Sequence, residues 1–197
     1  KALNLKNSLN GLKSLRSLIE QISPSKEDLE LIKHETQKLS SKLERIKGAE
    51  IILGGSDAKG TAIKKGKHEK KEVDIFIAFN YKKYAASSAQ LADILARELK
   101  RLGLKVQRLH GSRDYFHYEV RPANIRFEIV PILKIKKPAE AVNITDISPL
   151  HVIYVKNKIK KKSRLANEIR LAKAFCFAQD CYGAESYVRG FSGYALE

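Results

Sequence analysis

The sequence predicts an α+β fold, a small mixed sheet backed by helices and followed by a mainly helical segment. Three observations point there. Amphipathic helical stretches alternate with short apolar strands through the first two thirds of the chain. One of those strands, Glu72-Val73-Asp74-Ile75-Phe76-Ile77-Ala78-Phe79, carries two acids at alternate positions. Beyond Pro138 the pattern becomes helical, which divides the chain into residues 1–142 and 143–197.

Taken in order, Leu5, Leu9, Leu12, Leu15, Leu18, Ile19 and Ile22 recur at helical spacing and stop at Pro24. A second helix starts at Ser25, where Asp28 completes a capping-box-like pair. Leu29, Ile32, Leu39, Leu43 and Ile46 form its stripe, and Gly48 closes it. Both helices read as packing for the sheet, with a short coiled-coil pair as the alternative.

Ile51-Ile52-Leu53 reads as a strand ending in Gly54-Gly55-Ser56, with a helix opening between Asp57 and Thr61. Such a bend is either a plain turn or an anion site, since amides at a helix start and a serine hydroxyl suit phosphates. It is not a P-loop, because Thr61 follows Gly60 where that motif needs a lysine. Lys59 is the best candidate there for a direct phosphate contact. The loop Lys64 to Lys71 is strongly basic, and His68 within it has no assigned role.

Glu72 and Asp74, two residues apart on a strand, project from one face about 6.5–7 Å apart. Paired carboxylates are costly unless a cation holds them, which points to Mg²⁺; the alternative is a half-exposed edge strand with a solvated polar face. Leu91, Ile94, Leu95, Leu99 and Leu102 then give a helix ended by Gly103. Strands follow at Leu104 to Leu109, Tyr115 to Val120 and Ile125 to Leu133. On the last, Glu128 faces away from its apolar neighbours Phe127 and Ile129. Arg113, His117 and Tyr118 near the strand ends read as structural, with nucleotide or RNA contact as the alternative.

In the second segment Ser148-Pro149 marks a helix start with proline at the first position. Ser163 to Gln179 continues as a helix with Leu165, Ile169, Ala172, Phe175 and Cys176 on one face. On pattern alone Lys173 reads as a surface lysine.

Composition narrows the function classes. Thirty-eight Lys and Arg against 22 Asp and Glu give a net charge of +16, the footprint of a polyanion binder, with nucleic acid ahead of an acidic membrane. No apolar run approaches the roughly 20 residues that span a bilayer, and no signal peptide is visible, so a cytoplasmic location is expected. Cys176 and Cys181 lack companion ligands, which argues against zinc and a disulfide framework.

Gly55-Ser56, Glu72-x-Asp74 and a third acid on a later strand, Glu128, together resemble the polymerase-β-like nucleotidyltransferases. Within them the chain resembles the archaeal (class I) CCA-adding enzymes. Ser148-Pro149-Leu150-His151 is similar to their Thr-Pro-Phe-His motif. Asn167, Glu168, Arg170 and Lys173 match a helix motif, Tyr182 to Glu185 match Tyr-Gly-Ala-Glu, and Arg189 to Tyr194 match a signature stretch almost letter for letter. Glu128 departs from the usual aspartate by one methylene.

The resemblance implies a template-independent tRNA nucleotidyltransferase that adds C, C and A from CTP and ATP by two-metal phosphoryl transfer. It implies Glu72, Asp74 and Glu128 as catalytic residues and ligands of two Mg²⁺ ions. It implies Gly55, Ser56, Lys59, Ser148, His151, Lys173 and Tyr182 as nucleotide contacts. A related RNA-tailing or oligoadenylate-type enzyme and a non-catalytic RNA-binding remnant are the alternatives. Archaeal members continue well past the Ser-Gly-Tyr signature, so a catalytic head and an incomplete nucleotide-binding neck are expected, with a second polypeptide as a candidate source of the rest.

Overall fold

The computed structural model describes residues 14–64, 66, 69–183 and 188–197. A five-stranded mixed sheet is its frame. The strands are β1 (Ala49–Leu53), β2 (Lys71–Asn80), β3 (Gln107–Leu109), β4 (Tyr115–Val120) and β5 (Ile125–Lys134), in spatial order β1-β2-β5-β4-β3. Only β2 and β5 run parallel; the other neighbours are antiparallel. The two central strands are therefore both ten residues long and apolar on both faces over most of their length.

Side-chain alternation on these strands sorts the chain into a core face and a site face. Val73, Ile75, Ile77 and Phe79 of β2 and Ile125, Phe127, Ile129 and Leu133 of β5 enter the main core. Two helices cover it. Helix α1 (residues 14–22) leads by a short turn to α2 (Lys26–Leu43), whose Ser25 side chain accepts a hydrogen bond from the Asp28 N–H as an N-cap. Leu39 and Leu43 of α2 are buried there, whereas Leu29 at its first turn remains 47% exposed, contrary to its place in the predicted stripe. After a short helical turn α4 (Tyr81–Tyr84), helix α5 (Leu91–Arg101) contributes Leu91, Leu95 and Leu99, all fully buried.

The opposite face holds a smaller cluster of Phe76, Ala78, Val130 and Ile132, packed with Ile52 and Tyr115. Next to it along β2 and β5 lie the acids. Helix α3 (Gly55–Lys59) leaves the end of β1 directly above them, and the Gly54 N–H donates to the Asp74 carbonyl at 2.9 Å.

The second segment consists of α6 (Ser148–Lys161) and α7 (Leu165–Ala178). Ser148 is the first helical residue, and the local cap belongs one turn earlier, where Asn143 and Asp146 form a capping box. Asp146 is buried. Its carboxylate accepts from the Leu133 N–H at 2.9 Å and from the Arg113 guanidinium at 2.5 Å, so the end of β5, the 113 loop and the start of α6 share one anchor. Arg113 is thus structural.

Three other expectations need adjusting. The strand expected from Leu104 is only Gln107–Leu109, because the Leu104 N–H closes the end of α5 onto the Leu99 carbonyl and its side chain enters the core. On α7 the buried residues are Ile169, Lys173 and Cys176, while Phe175 is 65% exposed. Cys181 falls beyond that helix. The expectations for Leu5, Leu9, Leu12, His68 and Ala184-Glu185 lie outside the described residues.

Candidate active site

The register of the central strands sets the acids. Asp74 lies directly opposite Glu128 across the parallel β2–β5 pair, and Glu72 lies opposite Arg126. The three carboxylates therefore occupy one face of the sheet. Asp74 is the most perturbed. Burial, and after it the neighbouring charge of Glu128, push its pKa up to about 7 against the pull of Lys59. Gly55 explains how the bend can come so close, since any Cβ there would overlap the Asp74 carboxylate, and its φ of +67° favours glycine.

Glu72 and Glu128 are each turned toward a cation or ring. Glu72 accepts from Arg126 at 3.4 Å, and Glu128 stands 2.9 Å from Nε2 of His117. Among the described residues no three His, Cys, Asp or Glu side chains stand at ligating spacing. The donor set nonetheless fits Mg²⁺, a hard cation taking oxygen ligands, because an ionised Asp74 next to Glu128 needs positive charge.

A cationic cluster faces the acids from α3, α6 and α7. Lys173, which pattern alone would put on the surface, is 2% exposed. Its Nζ donates to Thr61 Oγ1 at 3.2 Å and to the Glu197 carboxylate at 2.6 Å. Thr61 Oγ1 also donates to Glu197 at 2.6 Å, Lys59 forms an ion pair with the same carboxylate, and Nε2 of His151 lies 3.3 Å from it. Burial opposes ionisation of Glu197, but the hydrogen bonds from Lys173, Lys59 and Thr61 outweigh it and hold its pKa below the usual carboxylate range. Burial likewise lowers the pKa of His151 and of Lys173, against the raising effect of Glu197. Four groups that donate to an oxyanion thus close on one carboxylate.

The supports are as specific. Arg170 of α7 donates to the carbonyls of Ala62 and Gly60, at 3.0 and 2.8 Å, which pins the segment after α3 to the second segment. His151 stacks on Tyr194 with ring centroids 3.7 Å apart. Tyr182 stacks on Phe177 at 4.0 Å, and the space its hydroxyl occupies is open because residue 193 is glycine.

Two adjoining cavities of about 320 and 280 Å³ flank the acids. Both touch Gly55, Lys59, Asp74, Glu128 and Tyr194. The first adds Ser148 and His151 over an apolar floor of Phe76, Val130 and Val152. The second adds Ser56, Glu72, Lys173 and Tyr182. Every residue expected at the site lines one or both. Sequence reasoning missed Glu197, Thr61 and Tyr194; only Tyr194 lay in a quoted motif, and nothing local marks a threonine or terminal glutamate as part of a charge cluster.

This fold is that of the polymerase-β-like nucleotidyltransferases. A cytoplasmic RNA terminal U-transferase superposes with a TM-score of 0.65 at 16% identity, covering 93% of this chain and 48% of that one. A CdnC:HORMA-deltaN complex from E. coli MS115-1 gives 0.66 at 18% identity, covering 93% and 61%.

Sequence narrows the class. The CCA-adding enzyme of Nanoarchaeum equitans is 39% identical over 181 residues, 90% of this chain and 42% of that protein. The CCA-adding enzyme of Sulfurisphaera tokodaii is 32% identical over 183 residues, 91% and 41%. Residues 167–197 match the family model described as tRNA nucleotidyltransferase, second domain. The chain belongs to the family of the archaeal CCA-adding enzymes, and it spans about two fifths of the length of these relatives.

Proposed function

We propose that the chain carries out template-independent nucleotidyl transfer to the 3′ end of tRNA, adding C, C and A from CTP and ATP. One observation carries this reading: a row of carboxylates on one sheet face looks across a cleft at Lys59, Thr61, His151 and Lys173, which already enclose the carboxylate of Glu197. In that arrangement residues 1–142 supply the acids together with Lys59 and Thr61, and residues 143–197 supply His151 and Lys173.

The reaction needs no covalent enzyme intermediate. An acceptor 3′-oxygen forms a bond to the α-phosphorus, the bond from that phosphorus to the bridging oxygen breaks, pyrophosphate leaves with the electron pair, and the hydroxyl proton passes to water. Lys173, Lys59 and His151 would hold the triphosphate after it displaces Glu197, with Ser56, Ser148 and Tyr182 supplying directional hydrogen bonds and Gly55 allowing close approach. Glu72, Asp74 and Glu128 would hold two Mg²⁺ ions, which when bound lower the pKa of the attacking hydroxyl and neutralise the departing phosphates.

Incorporation of labelled CTP and ATP into tRNA lacking its CCA end tests the reading. The expected result is addition of C, C and A by the intact chain, with a loss of more than roughly 100-fold in Asp74→Ala, the scale of removing an essential electrostatic element. Equal inactivity of the two proteins toward every acceptor would reject it. The likeness of the fold to a terminal U-transferase favours a second acceptor class. Efficient tailing of unstructured RNA, with tRNA ignored, would select that reading.

A further inference from the structure

The row that pairs Asp74 with Glu128 does not stop there. His117 of β4 lies opposite Glu128, and Gln107 of β3 lies opposite His117, so Asp74, Glu128, His117 and Gln107 form one line across four strands. The next row runs Glu72, Arg126, Glu119. The face that carries the acids therefore continues as polar surface to the free edge of the sheet.

At that edge lies a groove of about 690 Å³ lined by Lys105, Gln107, His117, Tyr118, Glu119 and Arg121. A further hollow of about 290 Å³ shares Glu119 and Arg121 with it and adds Lys70 and Asn124. The acid in this strip is already neutralised, since Glu119 pairs with Lys70 and with Arg126, and its pKa is lowered chiefly by the hydrogen bond from Lys70. Lys105 and Arg121 are exposed and make no ion pair among the described residues. Two cationic regions thus flank one set of carboxylates: the enclosed cluster around Lys173, and this open groove.

The two differ in kind. The enclosed cluster closes on one compact oxyanion, whereas the groove of about 690 Å³ is bordered by the exposed cations Lys105 and Arg121, which are free to meet successive phosphates of a chain. Its inner end is His117, 2.9 Å from Glu128. We propose that the groove is the track of the acceptor strand: single-stranded RNA whose phosphates are held by Lys105 and Arg121, and whose last nucleotide crosses Gln107 and His117 to bring its 3′-hydroxyl to Glu128 and Asp74. The assignment rests on the nucleotidyl-transfer reading and adds to it the side from which the acceptor arrives.

Binding of a labelled single-stranded RNA oligonucleotide, followed by fluorescence anisotropy across a salt series, tests it. Two lost phosphate contacts make the plot of log K against log salt shallower by about 1.4 in Lys105→Ala/Arg121→Ala, with roughly tenfold weaker binding at low salt. MgATP affinity and melting temperature stay at the wild-type values, since both side chains are exposed and unpaired. Affinity within about twofold of wild type, a loss with no change of slope, or an equal loss for a blunt RNA duplex overturns the assignment. As a second measurement, wild-type protein is crosslinked to RNA bearing a photoreactive 3′-terminal nucleotide. Label within residues 103–121 supports the track, and label confined to α6 and α7 overturns it. Both readouts are binding measurements, so a failure of nucleotide transfer would count against the proposed function without counting against the groove.

Discussion

At the scale of single residues, Glu197 and Asp74 carry the site's electrostatics in opposite directions. The Glu197 side chain has no solvent exposure and occupies the centre of the cation cluster. An inorganic phosphate or pyrophosphate must therefore compete with it. Glu197→Gln removes the competing charge, and its pyrophosphate affinity, measured by calorimetry, should rise, while Lys173→Ala should abolish binding. The lysine variant also leaves a buried carboxylate short of one partner, which costs about 3 kcal/mol, the lower end for a broken buried pair because Lys59 and Thr61 remain. Asp74 has the reverse problem. Its folded pKa of about 7 lies above the 3.8 of an ordinary aspartate, so the folded state binds the extra proton between those values. Stability is full below about pH 4 and is lost as pH rises through 7. Asp74→Asn should leave the unfolding free energy of the metal-free protein unchanged at pH 4 and raise it by about 2–4 kcal/mol at pH 8, read from denaturant unfolding. An equal effect at both pH values would refute the assigned burial.

At the scale of elements, Asp146 is the joint between the sheet and the second segment. It accepts from Arg113 and from the N–H groups of Leu133, Val142 and Asn143, so one carboxylate stops β5, caps the turn before α6 and holds the 113 loop. Asp146→Ala should cost about 3–5 kcal/mol in denaturant unfolding, as expected when a buried guanidinium loses its partner. Asp146→Asn should recover part of that through its carbonyl oxygen. This joint shows where local pattern stopped being informative. The strands β2, β4 and β5 and helix α5 were legible because period-two and helical spacing of apolar residues is a local property. The short helix Tyr81–Tyr84 and the truncated β3 were not, because they depend on how α5 docks on the sheet. The acids were found because two lie two residues apart, whereas the pairing of Asp74 with Glu128 is a register fact hidden by their separation of 54 positions in the chain. Lys173 was recognisable only through a motif, since a lysine between two alanines carries no mark of being buried against Thr61.

For the whole molecule, the cleft has acids from the sheet on one side and cations from α3, α6 and α7 on the other, held together by Arg170, Asp146 and the contacts of Glu197. No helix is long and apolar enough to cross a membrane among the described residues, and the net charge of +16 suits a polyanionic partner. A magnesium–nucleotide complex filling this cleft would touch both sides, so its binding energy adds to the stability of the joint as well as of each part. At a nucleotide concentration about 100 times Kd, linkage adds about 2.7 kcal/mol, which for a chain of this size raises the melting temperature by roughly 5–11 °C. Nucleotide without Mg²⁺ should give less, because the row of Glu72, Asp74 and Glu128 then repels the phosphates. Asp74→Asn and Lys173→Ala, one from each wall, should each remove most of the shift, while Lys105→Ala/Arg121→Ala should retain it. If the variants from the two walls behave differently, with only Lys173→Ala losing the shift, nucleotide binding belongs to the cation cluster alone and the sheet acids do not share it.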